Sequence, residues 1–214
     1  MGRAACANGK QTGRGAYNRS IAPLDILILC TGNICRSPMA EALLRERLRA
    51  RGVDATVSSA GISFDGREAT EDAIRAAEAL DLDITAHRSR VMNTELVRQA
   101  DLVIGMERLH AREAVVLGPS LLTRCFTLKE LVRRGEAIGA RREGETLEDW
   151  LARASAGRRP MELLGESPDD DIADPYQQSP KVYARCIAEL DDLTERLVNL
   201  AWPAAAEDED EGVA

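Results

Sequence analysis

Four short apolar runs of strand type alternate along the chain with stretches that repeat apolar residues at helical spacing. The runs are LDILILC (24–30), ATVSSAG (55–61), ADLVIGM (100–106) and TRCFTL (123–128). Because parallel strands require long crossover connections, usually helices, this alternation predicts a parallel sheet covered on both faces. The predicted fold class is α/β, a three-layer sandwich with a four-stranded, twisted parallel sheet between two layers of helices.

The chain divides by composition into a folded part and two flanking segments. Residues 1–22 show no hydrophobic period and are predicted to be a disordered arm, and residues 203–214 a disordered acidic tail. Residues 23–202 are predicted to form a single folded domain. Within it, Gly, Arg and Pro punctuate residues 135–168, which we interpret as an insertion, helical over 146–154 and otherwise mobile.

The helix that follows the first run carries signals at both ends. Ser37 is of the N-cap type, and Pro38 suits the first helical position because its φ is already fixed. Gly52 suits the residue just past the end of the helix. These residues predict a helix that begins at Ser37 and ends before Gly52.

Composition excludes several classes of function. The formal net charge of −8 argues against a nucleic-acid partner, and no apolar run approaches the roughly 18 residues of a membrane span. Five cysteines, an odd number without a Cys-x2-Cys pair, and two histidines suggest neither a disulfide framework nor a zinc site. We therefore expect a cytoplasmic protein without a nucleic-acid or membrane partner, a cofactor or a metal.

The loop after the first run combines a thiol with anion-binding groups. Cys30 ends the strand, where ligands bind in open α/β sheets. Gly32 and Asn33 can take positive φ and so wrap backbone N–H groups around an anion, at the start of a helix. The guanidinium of Arg36 suits two oxygens of a phosphate, and its charge favours the thiolate form of Cys30. The loop thus places a nucleophile beside a bound phosphoryl group.

The string CTGNICRSPMAEALL (30–44) resembles the signature of the low molecular weight protein tyrosine phosphatases, which have a Rossmann-like fold of this strand and helix order. The resemblance implies that Cys30 is the nucleophile, that Arg36 clamps the phosphate, and that the Ser37 hydroxyl bonds the Cys30 sulfur and eases its departure. It implies a phosphate-binding loop made of Thr31, Gly32, Asn33, Ile34, Cys35 and Ser37.

The same family uses a general acid from an Asp-Pro loop near the C-terminus, and Asp174-Pro175 matches it. Such an acid protonates the poor leaving group, then serves as base for the water that hydrolyses a phosphocysteine intermediate. From the residues alone, Asp169, Asp170 and Asp171 are equal rivals, although the run is most simply a solvated loop. The resemblance favours Asp174.

Further matches concern loop support and redox chemistry. Ser59 resembles the serine that holds the loop asparagine, and His87 the buried histidine of that network. Cys35 either packs or traps an oxidised Cys30 as a disulfide. Cys125 and Cys186 are predicted to be buried apolar residues, and His110 a surface or helix-packing residue.

The substrate pocket is predicted to include Ile34, Phe64 and Tyr176, with the two aromatic rings as walls for an aryl group. The resemblance associates isoleucine at position 34 with phosphotyrosine enzymes and threonine with bacterial protein-arginine phosphatases. CFTLKELV (125–132) nevertheless resembles that bacterial branch. We therefore expect a phosphotyrosine protein as substrate and inorganic phosphate as product, with phosphoarginine as the alternative.

Two more distant alternatives share the loop. A thioredoxin-coupled arsenate reductase needs two further cysteines after the third strand, and residues 101–118 contain none. A non-catalytic phosphoprotein-binding module would lack the nucleophile or the acid. The chain departs from common family patterns at Glu107, where aspartate is frequent, and at Gln177 and Gln178, where glycines are frequent.

Overall fold

The computed structural model describes residues 23–204. The predicted arm, residues 1–22, and residues 205–214 of the predicted tail lie outside the described residues, so this division of the chain stays a prediction. Within residues 23–204 no helix has the length and apolar character needed to cross a bilayer.

Four parallel strands form the sheet, as predicted. They are β1 (Leu24–Cys30), β2 (Ala55–Gly61), β3 (Leu102–Gly105) and β4 (Cys125–Thr127). Their order is β2-β1-β3-β4, which puts β1 between its two neighbours in the interior of the sheet. Cys30 pairs in register with Gly61 of β2, and all four strands end at one edge. The loop after β1 therefore lies where an open parallel sheet binds its ligands.

Seven helices accompany the strands within residues 23–204. They are α1 (Arg36–Ala50), α2 (Glu71–Glu78), α3 (Thr94–Gln99), α4 (Arg108–Leu117), α5 (Leu128–Ile138), α6 (Leu147–Ala154) and α7 (Pro180–Ala201). Two short 3-10 helices span Pro119–Thr123 and Pro160–Leu163. Of these elements, α3 and the first turns of α5 were not separately identifiable from the sequence pattern.

The sheet has an apolar core on each face. Ile26 and Ile28 of β1 pack with α1, α2, α5, α6 and α7 on one face. Leu27 and Leu29, which alternate with them, pack with α3 and α4 on the other. Because successive side chains of a strand point to opposite faces, an apolar run such as LDILILC must be covered on both sides. The predicted α/β three-layer sandwich is confirmed.

The start of α1 differs from the prediction. The helix begins at Arg36 with Cys35 as its N-cap residue, and no side chain caps it. Ser37 is not the N-cap because its hydroxyl bonds the Cys30 sulfur and the Asn33 amide instead. The N–H groups of the first turn therefore remain available to an anion in the preceding loop.

The segment predicted as an insertion packs on the domain, and the helix predicted over residues 146–154 forms as α6, while the mobility of the rest stays a prediction. Residues 135–138 complete α5, and Trp150 of α6 is fully buried against it. A side chain at Gly135 would place its Cβ 2.9 Å from the Trp150 ring, so only glycine admits this ring without a shift of its neighbours. Gly135, which the sequence pattern suggested as a break, is thus the point where α5 and α6 pack closely against each other.

A buried ion pair anchors the end of this segment. The guanidinium of Arg158 donates to both carboxylate oxygens of Glu130, each at 2.7 Å. It also donates to the carbonyl oxygens of Leu122 and Cys125, at 2.7 and 2.5 Å. The exposed fraction is 1% for the Arg158 side chain and 6% for that of Glu130. Removal of Arg158 would leave the buried Glu130 carboxylate with one ion pair among residues 23–204, to Arg134 at 3.0 Å.

We predict that Arg158→Ala lowers the free energy of unfolding by about 3 kcal/mol, because Glu130 stays buried with only the half-buried Arg134 as a cationic partner. Urea denaturation followed by circular dichroism measures the change. The neighbouring Arg159 has a 79% exposed side chain, so Arg159→Ala serves as a matched control with an expected change below about 0.5 kcal/mol. Equal effects of the two substitutions would contradict the prediction.

Candidate active site

The loop that follows β1 is held by hydrogen bonds from the residues that follow β2. The carbonyl oxygen of Thr31 accepts hydrogen bonds from the N–H groups of Ile62 and Ser63, at 2.9 and 3.1 Å. A Cβ at Gly61 would lie 2.8 Å from that oxygen, so the close approach of the two segments requires glycine. The loop thereby rests on the sheet edge with the buried Cys30 at its base.

Asn33 holds the loop in its curved form. Its φ is +52°, a left-handed conformation that Asn tolerates better than most residues, whereas Gly32 does not take the positive φ that was predicted for it. The Asn33 side-chain amide donates to the hydroxyls of Ser37 and Ser59, at 2.9 and 2.8 Å. Its Oδ1 accepts from the backbone N–H of Arg90 at 3.0 Å. Both N–H groups and the oxygen of this buried side chain are thus hydrogen-bonded.

The Cys30 sulfur lies against two donors. The backbone N–H of Asn33 points at it from 3.1 Å, and the Ser37 hydroxyl lies 2.9 Å away. Because the Ser37 oxygen already accepts from the Asn33 amide, its own proton is free to be donated to the sulfur. Both contacts stabilise negative charge on Cys30.

Two further side chains hold Asn33 from outside the loop. Ser59 accepts from the Asn33 amide and donates to Glu41 Oε2 at 2.5 Å. His87 Nε2 lies 2.7 Å from the Asn33 carbonyl oxygen, which can only accept, so Nε2 carries a proton. His87 is half-buried and not fully buried as the resemblance implied.

The guanidinium of Arg36 is the most buried charge of the site, with 1% of its side chain exposed. It donates to the Ile172 carbonyl and to Asp174 Oδ2, both at 2.8 Å, and it contacts Glu107 Oε1. Burial opposes its charge, but the negative groups around it, Asp174 foremost, outweigh this and raise the pKa of Arg36. Arg36 is therefore a permanent cation between the loop and the Asp-Pro segment.

Asp174 reaches the site from the segment before α7. Its side chain is 41% exposed, and its Oδ1 accepts from the Tyr176 N–H at 3.2 Å. Gln177 follows with φ at +60°, a left-handed backbone that glycine adopts without strain and other residues rarely take. The turn thus holds the carboxylate over the Arg36 guanidinium.

The acidic run before Asp174 is not the solvated loop that was predicted. Asp170 is buried and contacts Arg108 and Arg133, at 2.6 Å each. Burial favours its neutral form, but hydrogen bonds from Arg133 and Arg108 hold the pKa of Asp170 below its usual value. Asp171 accepts from the backbone N–H of Arg108 at 2.7 Å. Asp169 alone of the three is exposed.

The predicted pocket residues are arranged around the loop. The Phe64 ring lies over Gly32, where an added Cβ would be 3.1 Å from it, and carries the guanidinium of Arg67 at 3.9 Å from its centre. Ile34 is buried beside Gly32. Tyr176, 37% exposed, follows the Asp-Pro pair. Phe64 and Ile34 thus flank Gly32, and Tyr176 lies on the Asp174 side.

The Cys35 thiol contacts two hydroxyl groups, and its predicted disulfide with an oxidised Cys30 stays a prediction. The Cys35 sulfur lies 3.4 Å from both Thr70 Oγ1 and Tyr183 Oη. Burial raises the pKa of the Cys35 thiol, in spite of these hydrogen bonds. Cys30 and Cys35 are both free thiols, and Cys125 and Cys186 are buried in the two cores.

Sequence reasoning missed two side chains of the site. Glu107 was noted only as a departure, yet it contacts Arg36, and its carboxylate follows β3 at the binding edge. His110, predicted to be a surface or packing residue, is fully buried with Nε2 3.0 Å from Thr31 Oγ1. A polar residue just after a strand at that edge is the signal that could have identified both. Within residues 23–204, His, Cys, Asp and Glu side chains form no group of three or more suited to a metal.

Comparison with known proteins identifies the family. The family model for low molecular weight phosphotyrosine protein phosphatase matches residues 25–139. A probable low molecular weight protein-tyrosine-phosphatase of Ralstonia solanacearum is 38% identical over 133 residues, 62% of this chain and 89% of the relative. A protein-arginine-phosphatase of Geobacillus stearothermophilus is 32% identical over 176 residues, 82% of this chain and 94% of the relative.

A solved structure agrees with these relatives. The low molecular weight protein tyrosine phosphatase of T. tengcongensis has a TM-score of 0.62 and 29% identity, over 82% of this chain and 98% of that one. The prediction of an enzyme of the phosphatase class is confirmed. Since the matched residues include the whole loop from Cys30 to Ser37, the chain belongs to the low molecular weight phosphotyrosine protein phosphatase family.

Proposed function

We propose that this phosphatase hydrolyses phosphotyrosine in proteins by double displacement at Cys30. The observation that carries the proposal is the meeting of three groups from distant parts of the chain. Arg36, six residues after the thiol, contacts the carboxylate of Asp174 at 2.8 Å across 138 residues of sequence. A phosphoryl group bound by Arg36 is then within reach of both a nucleophile and an acid.

In the first step the Cys30 thiolate attacks phosphorus, and a sulfur–phosphorus bond replaces the bond to the phenolic oxygen. The loop N–H groups and Arg36 stabilise the negative charge of the non-bridging oxygens. Asp174, in its protonated form, transfers its proton to the departing oxygen. Neutral tyrosine leaves, and the phosphoryl group stays on Cys30.

In the second step the Asp174 carboxylate takes a proton from water, whose oxygen attacks the phosphocysteine. The sulfur–phosphorus bond breaks, and inorganic phosphate is the product. The Ser37 hydroxyl, 2.9 Å from the sulfur, stabilises the thiolate that departs. One carboxylate thus serves both steps, which requires no metal because Arg36 and the loop amides supply the positive charge.

Phosphotyrosine is the proposed substrate because apolar surface lies beside the loop. Ile34 and Phe64 flank Gly32, and Tyr176 adjoins Asp174. Phosphoarginine is the second candidate, favoured by the 32% identity to a protein-arginine-phosphatase that extends over 82% of this chain. We also propose a cytoplasmic location, supported by the free thiols of the described cysteines.

We predict that Cys30→Ser lowers kcat for an aryl phosphate by about a thousandfold or more, because the hydroxyl cannot replace the thiolate as nucleophile. Stopped-flow assays and mass spectrometry of the acid-quenched wild type should reveal the phosphocysteine. Cys186→Ala, in the core of α7, is the control and should keep turnover. An active Cys30→Ser enzyme would exclude the mechanism, and wild-type binding of phosphopeptides without turnover would favour a binding module.

We predict that Asp174→Asn lowers kcat/KM, which reports the first step alone, by at least about 100-fold for phenyl phosphate and much less for 2,4-dinitrophenyl phosphate, whose leaving group needs no proton. Asp169→Asn is the matched control, because this neighbour is exposed and should leave both rates unchanged. Equal losses with the two substrates would argue against Asp174 as the general acid.

We predict that Ile34→Thr raises the ratio of phosphoarginine to phosphotyrosine turnover by about tenfold, since a hydroxyl in the pocket favours a polar guanidinium over a ring. Peptides with phosphotyrosine, phosphoarginine and phosphoserine give the three rates. Ile34→Val keeps an apolar side chain and should keep the ratio. An unchanged ratio in the threonine variant would mean that Phe64 and Tyr176 decide the selectivity.

A further inference from the structure

His110 lies in the first turn of α4, and its ring contacts the phosphate-binding loop at Thr31. Its Nδ1 is 3.0 Å from the backbone nitrogen of Glu107, which can only donate, so Nδ1 is an unprotonated acceptor. Its Nε2 is 3.0 Å from Thr31 Oγ1. A neutral imidazole carries one proton, and with Nδ1 as acceptor that proton is on Nε2. His110 therefore donates to the Thr31 hydroxyl.

The surroundings keep His110 neutral. The residue is fully buried, and burial together with the nearby charge of Arg36 lowers its pKa to about 3. Glu107, which could attract a proton to the ring, directs its carboxylate at Arg36 instead. The ring is therefore neutral at physiological pH, and the hydrogen bond from the Glu107 N–H to Nδ1 sets its tautomer.

The Thr31 hydroxyl has donors on both sides. Besides His110, Arg36 Nη2 points at Oγ1 from 3.5 Å, and a guanidinium has no acceptor. These are the two partners of Oγ1 within residues 23–204, and neither can take its proton. Thr31 is half-buried, directly after Cys30, and its hydroxyl shares Arg36 Nη2 with Asp174. Its O–H group thus has no acceptor among residues 23–204, next to the thiol in the chain and beside the guanidinium proposed to bind phosphate.

We propose that the Thr31 hydroxyl donates a hydrogen bond to a phosphoryl oxygen of the substrate, and that His110 is the positioning residue that aims it. The inference rests on the proposed function of the loop as the phosphate site. A hydroxyl can rotate, and in water it points wherever an acceptor lies. Because His110 and Arg36 both donate to Thr31 Oγ1, the hydroxyl proton has one direction left. The Thr31 O–H group is therefore oriented before the substrate binds.

The tautomer is tested first, by nitrogen NMR of the histidine rings of the wild-type protein from pH 5 to 8. The chain contains two histidines, so loss of one set of signals in His110→Gln assigns the spectrum. We expect His110 to remain neutral with its proton on Nε2 throughout. A proton on Nδ1, or titration of the ring in this range, would overturn the proposal.

Kinetics test the hydroxyl. Thr31→Val removes the donor but keeps the shape, and we expect kcat/KM for the aryl phosphate to fall about tenfold, as for a lost hydrogen bond to a charged group. Binding of inorganic phosphate should weaken in the same variant. Thr31→Ser keeps the hydroxyl and should retain most of the activity. A Thr31→Val enzyme within twofold of the wild type in both measurements would overturn the proposal.

The coupling of the two residues gives the last test. His110→Leu should lower kcat/KM in the wild type but cause no further loss in Thr31→Val, because its effect is transmitted through that hydroxyl. His110→Gln can present an N–H at the same place and should restore part of the loss. If the losses in kcat/KM of the two single variants multiply in the double variant, His110 does not act through the Thr31 hydroxyl, and the proposal would be overturned. If the wild type had no phosphatase activity, the proposed function would fail, while the phosphate titration would still decide the role of Thr31.

Discussion

A buried guanidinium must be compensated, and in this protein the compensation of Arg36 brings the active site together. Its side chain is withdrawn from water at the first residue of α1. The Glu107 carboxylate, the Ile172 carbonyl and the Asp174 carboxylate surround it, and they come from the loop after β3 and from the segment before α7. In a low-dielectric interior an isolated cation would be strongly destabilising. The guanidinium that we propose as the phosphate clamp is therefore also the group that holds Asp174 beside the loop.

The two halves of the site are held by different forces. The phosphate-binding loop depends on neutral hydrogen bonds that converge on Asn33, each of which is directional and insensitive to salt. The Asp-Pro segment depends on charge, since Asp170 lies between Arg108 and Arg133 and Asp174 contacts Arg36. Such contacts are weakened by ions where they are exposed, and Asp174 is partly exposed. Neutral hydrogen bonds thus hold the loop that carries Cys30, whereas an ion pair that salt can weaken holds Asp174.

The sheet was predictable because its cause is local. Apolar runs such as LDILILC need cover on both faces, and only a parallel sheet between helices supplies it. The loop was predictable because a thiol, a glycine, an asparagine and an arginine are contiguous in the chain. Contacts between polar residues that lie far apart in the chain were not predictable. Arg158 lies in a tract rich in charge and turn residues, and its burial depends on Glu130, 28 positions away. Ser37 fits an N-cap equally well, and only the folded loop shows that the Cys30 sulfur takes its hydroxyl.

The spacing of nucleophile and acid has a consequence for the newly made chain. Synthesis proceeds from the N-terminus, so β1, the loop and α1 leave the ribosome long before Asp174, 138 residues after Arg36. Until the last segment emerges, Arg36 lacks one of the carboxylates that compensate it, and a bound phosphoryl group would have a thiolate but no proton donor. On the proposed mechanism, a chain that ends before Asp174 keeps the thiol and the guanidinium but lacks the proton donor, so truncation upstream of this residue would abolish turnover.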